Sequence, residues 1–203
     1  MREEPRELDV PGAWEITPTI HVDSRGLFFE WLTDHGFRAF AGHSLDVRQV
    51  NCSVSSAGVL RGLHFAQLPP SQAKYVTCVS GSVFDVVVDI REGSPTFGRW
   101  DSVLLDDQDR NIYVSDGLAH GFLALQDNST VMYLCSAEYN PQRQHTICAT
   151  DPTLASIRRW SDGGCPSLSD RDAAAPSFEE DVRRGLLPGG TDVSRFIGEM
   201  RGT

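Results

Sequence analysis

Disulfide and metal frameworks are the first things this sequence does without. Its five cysteines, Cys52, Cys78, Cys135, Cys148 and Cys165, are odd in number, widely scattered and never set as CxxC. That pattern argues for reduced thiols and against a zinc site or a disulfide scaffold. Positive charge is also scarce: 18 Lys and Arg stand against 28 Asp and Glu, a formal net charge of −10. Nucleic acid and anionic membranes are excluded as partners on that balance, because both need clustered cations. A polyanionic ligand can still bind where the few cations are gathered locally. No apolar run reaches the roughly 18 residues of a membrane span. The opening MREEPRELDVPG is charged where a signal peptide would be apolar, so the expectation is a soluble, cytoplasmic protein. Internal repeats, low-complexity tracts and an interdomain linker are missing as well. The expectation is one domain over residues 1–203, with a core about 8–180 and a tail about 181–203.

What is present is a run of short strands separated by turn residues. Leu8 to Ile20 reads as an opening strand with irregular edges, and Asp23-Ser24-Arg25-Gly26 as a turn into the aromatic strand Leu27 to Trp31. Residues 33–43 fit either one short helix or an irregular loop. In Asp46 to Ser55, Val47, Gln49, Asn51 and Ser53 share one face. Gly81 to Arg91 alternates so that Val83, Asp85, Val87 and Asp89 lie on one side and Phe84, Val86, Val88 and Ile90 on the other. Carboxylates within and apolar residues without suit a barrel that encloses a polar site. Trp100–Leu105, Ile112–Val114, the stretch after Asp116-Gly117 and Thr130–Glu138 complete about ten strands. This spacing predicts an all-β jelly-roll barrel with short peripheral helices and a C-terminal helical or irregular tail.

The chain is organised around GVLRGLHFAQLPPSQAK, residues 58–74. Arg61 and His64 are an odd number apart on a strand, so pleating alone points them to opposite faces. Gly62 between them marks a bulge, which re-aims the side chains that follow. Pro69-Pro70 ends this strand, and Gln72 to Val79 forms the next. Gln72 and Lys74 fall on its inward side. Polar residues there are costly unless paired, and a solvent-facing edge is the simpler reading.

Metal-binding jelly rolls of the cupin type carry His-x-His and a nearby Glu. Here His64 is followed by Phe65 and Ala66, so no metal is expected, although Gly117-x-x-His120 echoes the second cupin motif. His64, Lys74, His120 and Tyr133 on one barrel suggest other chemistry. A histidine removes a proton next to a ketone, a lysine holds the resulting oxyanion, and a tyrosine returns a proton to the opposite face. The product is an epimer. The histidine needs a carboxylate to fix its tautomer, and Asp172, Asp85 and Asp89 are candidates. Arg25, Arg61 and His120 can neutralise a diphosphate.

Taken together, DSRGxFxE (23–30), QVNxS (49–53), GVLRGLHF, QAKYV, VFDVVVDIREGSPTFGRW, GLAHGF, Tyr139-Asn140-Pro141 and LSDRD resemble the dTDP-4-dehydrorhamnose 3,5-epimerase family from about residue 8 to residue 180. The resemblance implies a cupin jelly roll, a homodimer with an exchanged N-terminal strand, and no cofactor. It implies inversion of carbons 3 and 5 of a dTDP-4-keto-6-deoxy sugar, both next to the C4 ketone. By position, His64 is similar to the family's base, Asp172 to its carboxylate partner, Tyr133 to the acid and Lys74 to the residue beside the enolate oxygen. Arg25, Phe28, Glu30, Gln49, Asn51, Arg61 and His120 match substrate contacts, and Tyr139 an aromatic that stacks on thymine. Arg171 stands where a lysine is common, and Gln144 where a glutamate is usual. The segment between Leu154 and Leu168 departs from the family pattern, leaving the register to Asp172 open. His145 reads as structural. A mono-epimerase with the same base and acid, and a non-catalytic nucleotide-sugar-binding cupin, remain the alternatives.

Overall fold

The computed structural model describes residues 4–106, 110–154, 157, 160 and 164–201. Thirteen strands are present among them: β1 Arg6–Glu7, β2 Ala13–Ile16, β3 His21–Asp23, β4 Gly26–Phe28, β5 Gln49–Ser55, β6 Leu60–Ala66, β7 Lys74–Ser80, β8 Val83–Asp89, β9 Trp100–Leu105, β10 Asn111–Val114, β11 Leu118–Ala124, β12 Ser129–Cys135 and β13 Gln144–Thr146. The helices are short: α1 Asp34–Ala41, α2 Asp170–Ala173, α3 Phe178–Arg183 and α4 Gly190–Arg201. No described helix is long and apolar enough to cross a membrane. One antiparallel sheet has the order β1-β2-β10-β7-β12-β5, a second the order β13-β6-β11-β8-β9, and β3 pairs only with β4. The two large sheets form a jelly roll.

Strand alternation sorts the side chains into three apolar layers. Val76, Ile112, Val114 and Val131 of the first sheet meet Val83, Val87, Leu118 and Phe122 of the second to form the core between them. Phe84, Val86, Val88 and Ile90 lie on the other side of β8, as alternation predicts, and are covered by Ile157, Trp160, Phe178 and Leu187 of the C-terminal segment. On the first sheet's outer face, Phe37 and Ala41 of α1 pack on Tyr75 and Tyr113. Thr33 caps α1 through its side chain, and Gly42 ends the helix at φ 82°. Of the two options for residues 33–43, the helix is the one formed, over Asp34–Ala41. Its apolar stripe is the cover the outer face needs.

Two corrections concern the sequence expectations. The aromatic strand starting at Leu27 is shorter than its composition suggests, since pairing stops at Phe28. Gln72 and Lys74 keep the inward placement that the alternation gives them, and the alternative of a solvent-facing edge does not hold. Strand β7 lies between β10 and β12, and Gln72 and Lys74 are buried at 9% and 7% exposure. Edge position depends on long-range pairing, which local alternation does not encode. Parts of the departing segment, including Arg158, Arg159 and Ser161, lie outside the described residues. Beyond it, Ser167 bridges to Val59, and the Leu60 N–H donates to the Ser167 carbonyl at 2.9 Å, which clamps the 167–172 segment beside β6.

Candidate active site

The site grows from the bulge in β6. Arg61 pairs with Phe122 and His64 with His120, so Gly62 and Leu63 together face the single residue Gly121. Both polar side chains thereby share the inner face. Gly62 has φ 122°, and a Cβ there would come within 2.8 Å of the Gly121 Cα and 2.9 Å of the His120 carbonyl oxygen. Only glycine fits this backbone approach.

His64 Nε2 lies 2.8 Å from Asp172 Oδ1. Asp172 sits in the first turn of α2, whose N-cap Ser169 accepts from the Asp172 N–H. Burial alone would raise this carboxyl, but the hydrogen bond and charge of His64, with support from Ser169 and the Gly62 N–H, hold it below the usual carboxylate range. The ionised carboxylate fixes the proton on His64 Nε2 and leaves the lone pair on Nδ1. A second pair stands beside the first: His120 Nε2 lies 2.9 Å from both oxygens of Asp85. The sequence placed Asp85 inward but offered it to His64. Asp89 instead binds Arg91, Ser94 and Thr96, away from either histidine.

Across the barrel, Tyr133 pairs in register with Asn51 and Val76, and Cys135 with Gln49 and Lys74. Burial pushes the Tyr133 phenol above its ordinary value, opposed by Arg61 and an Asn51 hydrogen bond. It therefore keeps its proton at neutral pH. Lys74 makes one long bond, from Nζ to the Gln72 carbonyl at 3.4 Å, and burial lowers its pKa. It is the only lysine in the chain, a signal in the composition that the strand-by-strand reading passed over.

The rim is a chain of hydrogen bonds. The Tyr139 N–H donates to Gln49 Oε1 at 2.7 Å, Gln49 Nε2 to Asn51 Oδ1 at 2.7 Å, and Asn51 Nδ2 to the Cys135 thiol at 3.6 Å. Arg171 donates to the Tyr139 hydroxyl at 3.1 Å and the Gln144 carbonyl at 2.8 Å. A guanidinium can fork in this way, whereas a lysine's single ammonium is a point charge. Gln144 Nε2 donates to Gln72 Oε1 at 3.2 Å. Arg61, His64, Arg171 and Asp172 line a cavity of about 340 Å³, and Tyr139 and Gln144 one of about 420 Å³. His145 faces the opposite way, its ring 5.3 Å from that of Phe65, as a structural residue would.

Arg25, Phe28 and Glu30 are placed elsewhere. Arg25 pairs with Asp23 on the exposed β3–β4 hairpin, where Phe28 is also exposed. Glu30 lines an apolar cavity of about 530 Å³ beside α1. That cavity exceeds those two in volume but holds no base and acid on facing strands. Among the described residues, no three His, Cys, Asp or Glu side chains cluster to hold a metal ion.

A histidine–carboxylate pair on one sheet and a protonated phenol with a buried lysine on the other suit acid–base isomerisation on a jelly roll. The chain belongs to the dTDP-4-dehydrorhamnose 3,5-epimerase family, whose model matches residues 7–180. A dTDP-4-dehydrorhamnose 3,5-epimerase of Mycobacterium tuberculosis is 88% identical over 98% of each chain. The solved structure of the rmlC epimerase of Mycobacterium tuberculosis matches with TM-score 0.93 and 85% identity, covering 98% of this chain and all of that one. A 3'-monoepimerase from Streptomyces bikiniensis, solved with dTDP-quinovose, matches over the full length of both chains with TM-score 0.93 and 43% identity.

Proposed function

We propose that this chain inverts carbons 3 and 5 of dTDP-4-dehydro-6-deoxy-D-glucose to give dTDP-4-dehydro-L-rhamnose, as a step of dTDP-L-rhamnose synthesis in the cytoplasm. The observation that carries this reading is the opposition of the His64–Asp172 pair and Tyr133 across the barrel interior. His64 Nδ1 takes the proton from the carbon next to the C4 ketone. The electron pair moves to the C4 oxygen, where the Lys74 ammonium stabilises the enolate. Tyr133 donates its proton to the opposite face of the same carbon, and solvent restores both groups. The same cycle at the second carbon completes the double inversion without a metal or organic cofactor.

Gln49, Asn51, Arg61, His120, Gln144 and Arg171 serve the nucleotide diphosphate and sugar, with Tyr139, 52% exposed, as the platform for thymine. Arg25, Phe28 and Glu30 act from a second copy. The chain is one jelly-roll domain that works as a homodimer, its exposed β3–β4 hairpin reaching the partner's cleft. In support, Val22, Leu27 and Phe28 leave 79%, 59% and 66% of their surface exposed within one chain. The test is NMR of the 4-keto sugar nucleotide incubated with the protein in heavy water. Deuterium at both carbons, with rhamnose-configured product trapped by a reductase, is the expected result. Deuterium at one carbon makes the protein a mono-epimerase, and none with tight binding makes it a binding protein.

A further inference from the structure

Lys74 is held in an unusual way for a buried cation. Its neighbours in register are Cys135 on β12 and Val114 on β10, and its one hydrogen bond among the described residues is the 3.4 Å contact to the Gln72 carbonyl. An ammonium buried at 7% exposure with a single long bond needs a counter-charge. Asp116 lies in the turn between β10 and β11, two residues beyond Val114, the register partner of Lys74. It is 2% exposed, and its Oδ1 is buried without a hydrogen-bond partner among the described residues. Ser71, 3% exposed and in the left-handed region at φ 58°, accepts from the Gly117 N–H at 3.3 Å and supplies a hydroxyl to Asp116. Gly117 is fixed from the other side, because a Cβ there would lie 2.6 Å from Val193 of α4. The turn carrying Asp116 is thus wedged between the Ser71 loop and the C-terminal helix.

We propose that Asp116 is a positioning residue, its buried carboxylate the counter-charge that keeps the Lys74 ammonium seated and charged at the inner face of the barrel. The inference rests on the oxyanion role given to Lys74 above and adds a residue that does not touch the substrate. The charged and titratable groups facing the pair are few. Burial lowers Lys74, and Cys135 and Asp116 oppose it; burial raises Asp116, and Ser71, His43 and Lys74 oppose it. Burial also raises the Cys135 thiol, whose ordinary value already lies well above that of a carboxyl. The carboxylate is therefore the acid available to the ammonium.

The single lysine makes the test direct, since protein labelled with 13C at lysine Cε gives one side-chain signal, that of Lys74. Asp116→Asn is expected to lower the titration midpoint of that signal by about one unit, a tenfold smaller ammonium fraction on the alkaline side. Asp116→Glu should restore it, and Cys135→Ser should leave it in place. Ser71→Ala, which loosens the carboxylate without removing it, should move the midpoint the same way by less. With the sugar nucleotide, the alkaline limb of kcat/KM should move with the NMR midpoint. A midpoint unchanged in both Asp116→Asn and Ser71→Ala, or one that follows Cys135→Ser instead, overturns the proposal. If the wild-type protein turns over no 4-keto sugar nucleotide, the functional reading fails, while the titration still decides the role of Asp116.

Discussion

Arg61 and His64 are three residues apart in sequence yet face Phe122 and His120, two residues apart on β11, so both point into the barrel. The extra residue is absorbed at Gly62-Leu63, and the register of the cavity depends on it. Gly62→Ala would place a methyl carbon 2.8 Å from the Gly121 Cα, backbone against backbone, at φ 122°. A cost of about 2–3 kcal/mol is expected, or roughly 4–12 °C in thermal midpoint for a domain of this size. Differential scanning calorimetry and turnover should fall together, because the same shift rotates Arg61 or His64 away.

The His64–Asp172 pair should behave as one unit. His64→Ala is expected to lower kcat by about 10²- to 10⁴-fold and Asp172→Asn by about 10- to 100-fold. The double variant should be no slower than His64→Ala alone. Steady-state kinetics of the three variants measure this, and multiplied losses would mean that the residues act independently.

Tyr133→Phe separates proton removal from proton return. The phenol is held protonated by burial, and its loss removes the donor while leaving His64 and Lys74 in place. Deuterium from heavy water should still enter the sugar, whereas formation of inverted product should drop at least about 10²-fold. NMR follows both in one sample.

Acid stability should carry the mark of Asp172. Its folded carboxyl lies below the unfolded value of about 3.9, so its contribution is fully present above that value and is lost as pH falls through the lower folded one. Urea midpoints of the wild type and Asp172→Asn should differ at pH 6 and converge as the pH is taken below about 4. A gap that persists at the lowest pH would assign the loss to packing.

The sequence and the structure agree wherever the information is local. The Gly62 bulge, the two faces of Gly81–Arg91 and the helix option at 33–43 follow from spacing alone. What failed was set by distant pairing. Lys74 falls on the inward side by alternation, and only the placing of β10 and β12 on either side of it removes the alternative of an edge. Asp85 was one of three carboxylates open to His64, with Asp172 and Asp89. The pairing of β8 with β11 gives it to His120 instead. Asp116 and Ser71 carry no local pattern at all, and their partnership exists only once the 67–72 loop folds back over the end of β10. Phe28 and Glu30 entered the site by resemblance and Arg25 first as a cation for a diphosphate, and within one chain all three stand apart from His64.

The lone lysine also turns the barrel into its own unfolding clock. A lysine-specific endoprotease has one peptide bond to cut, between residues 74 and 75, and that bond lies in an interior strand with Lys74 and Tyr75 7% and 1% exposed. No surface nick can compete with it. Cleavage into two fragments, residues 1–74 and 75–203, would therefore count openings of the barrel at Lys74 itself, and a bound sugar nucleotide would slow the cut in proportion to how firmly it holds the two sheets together.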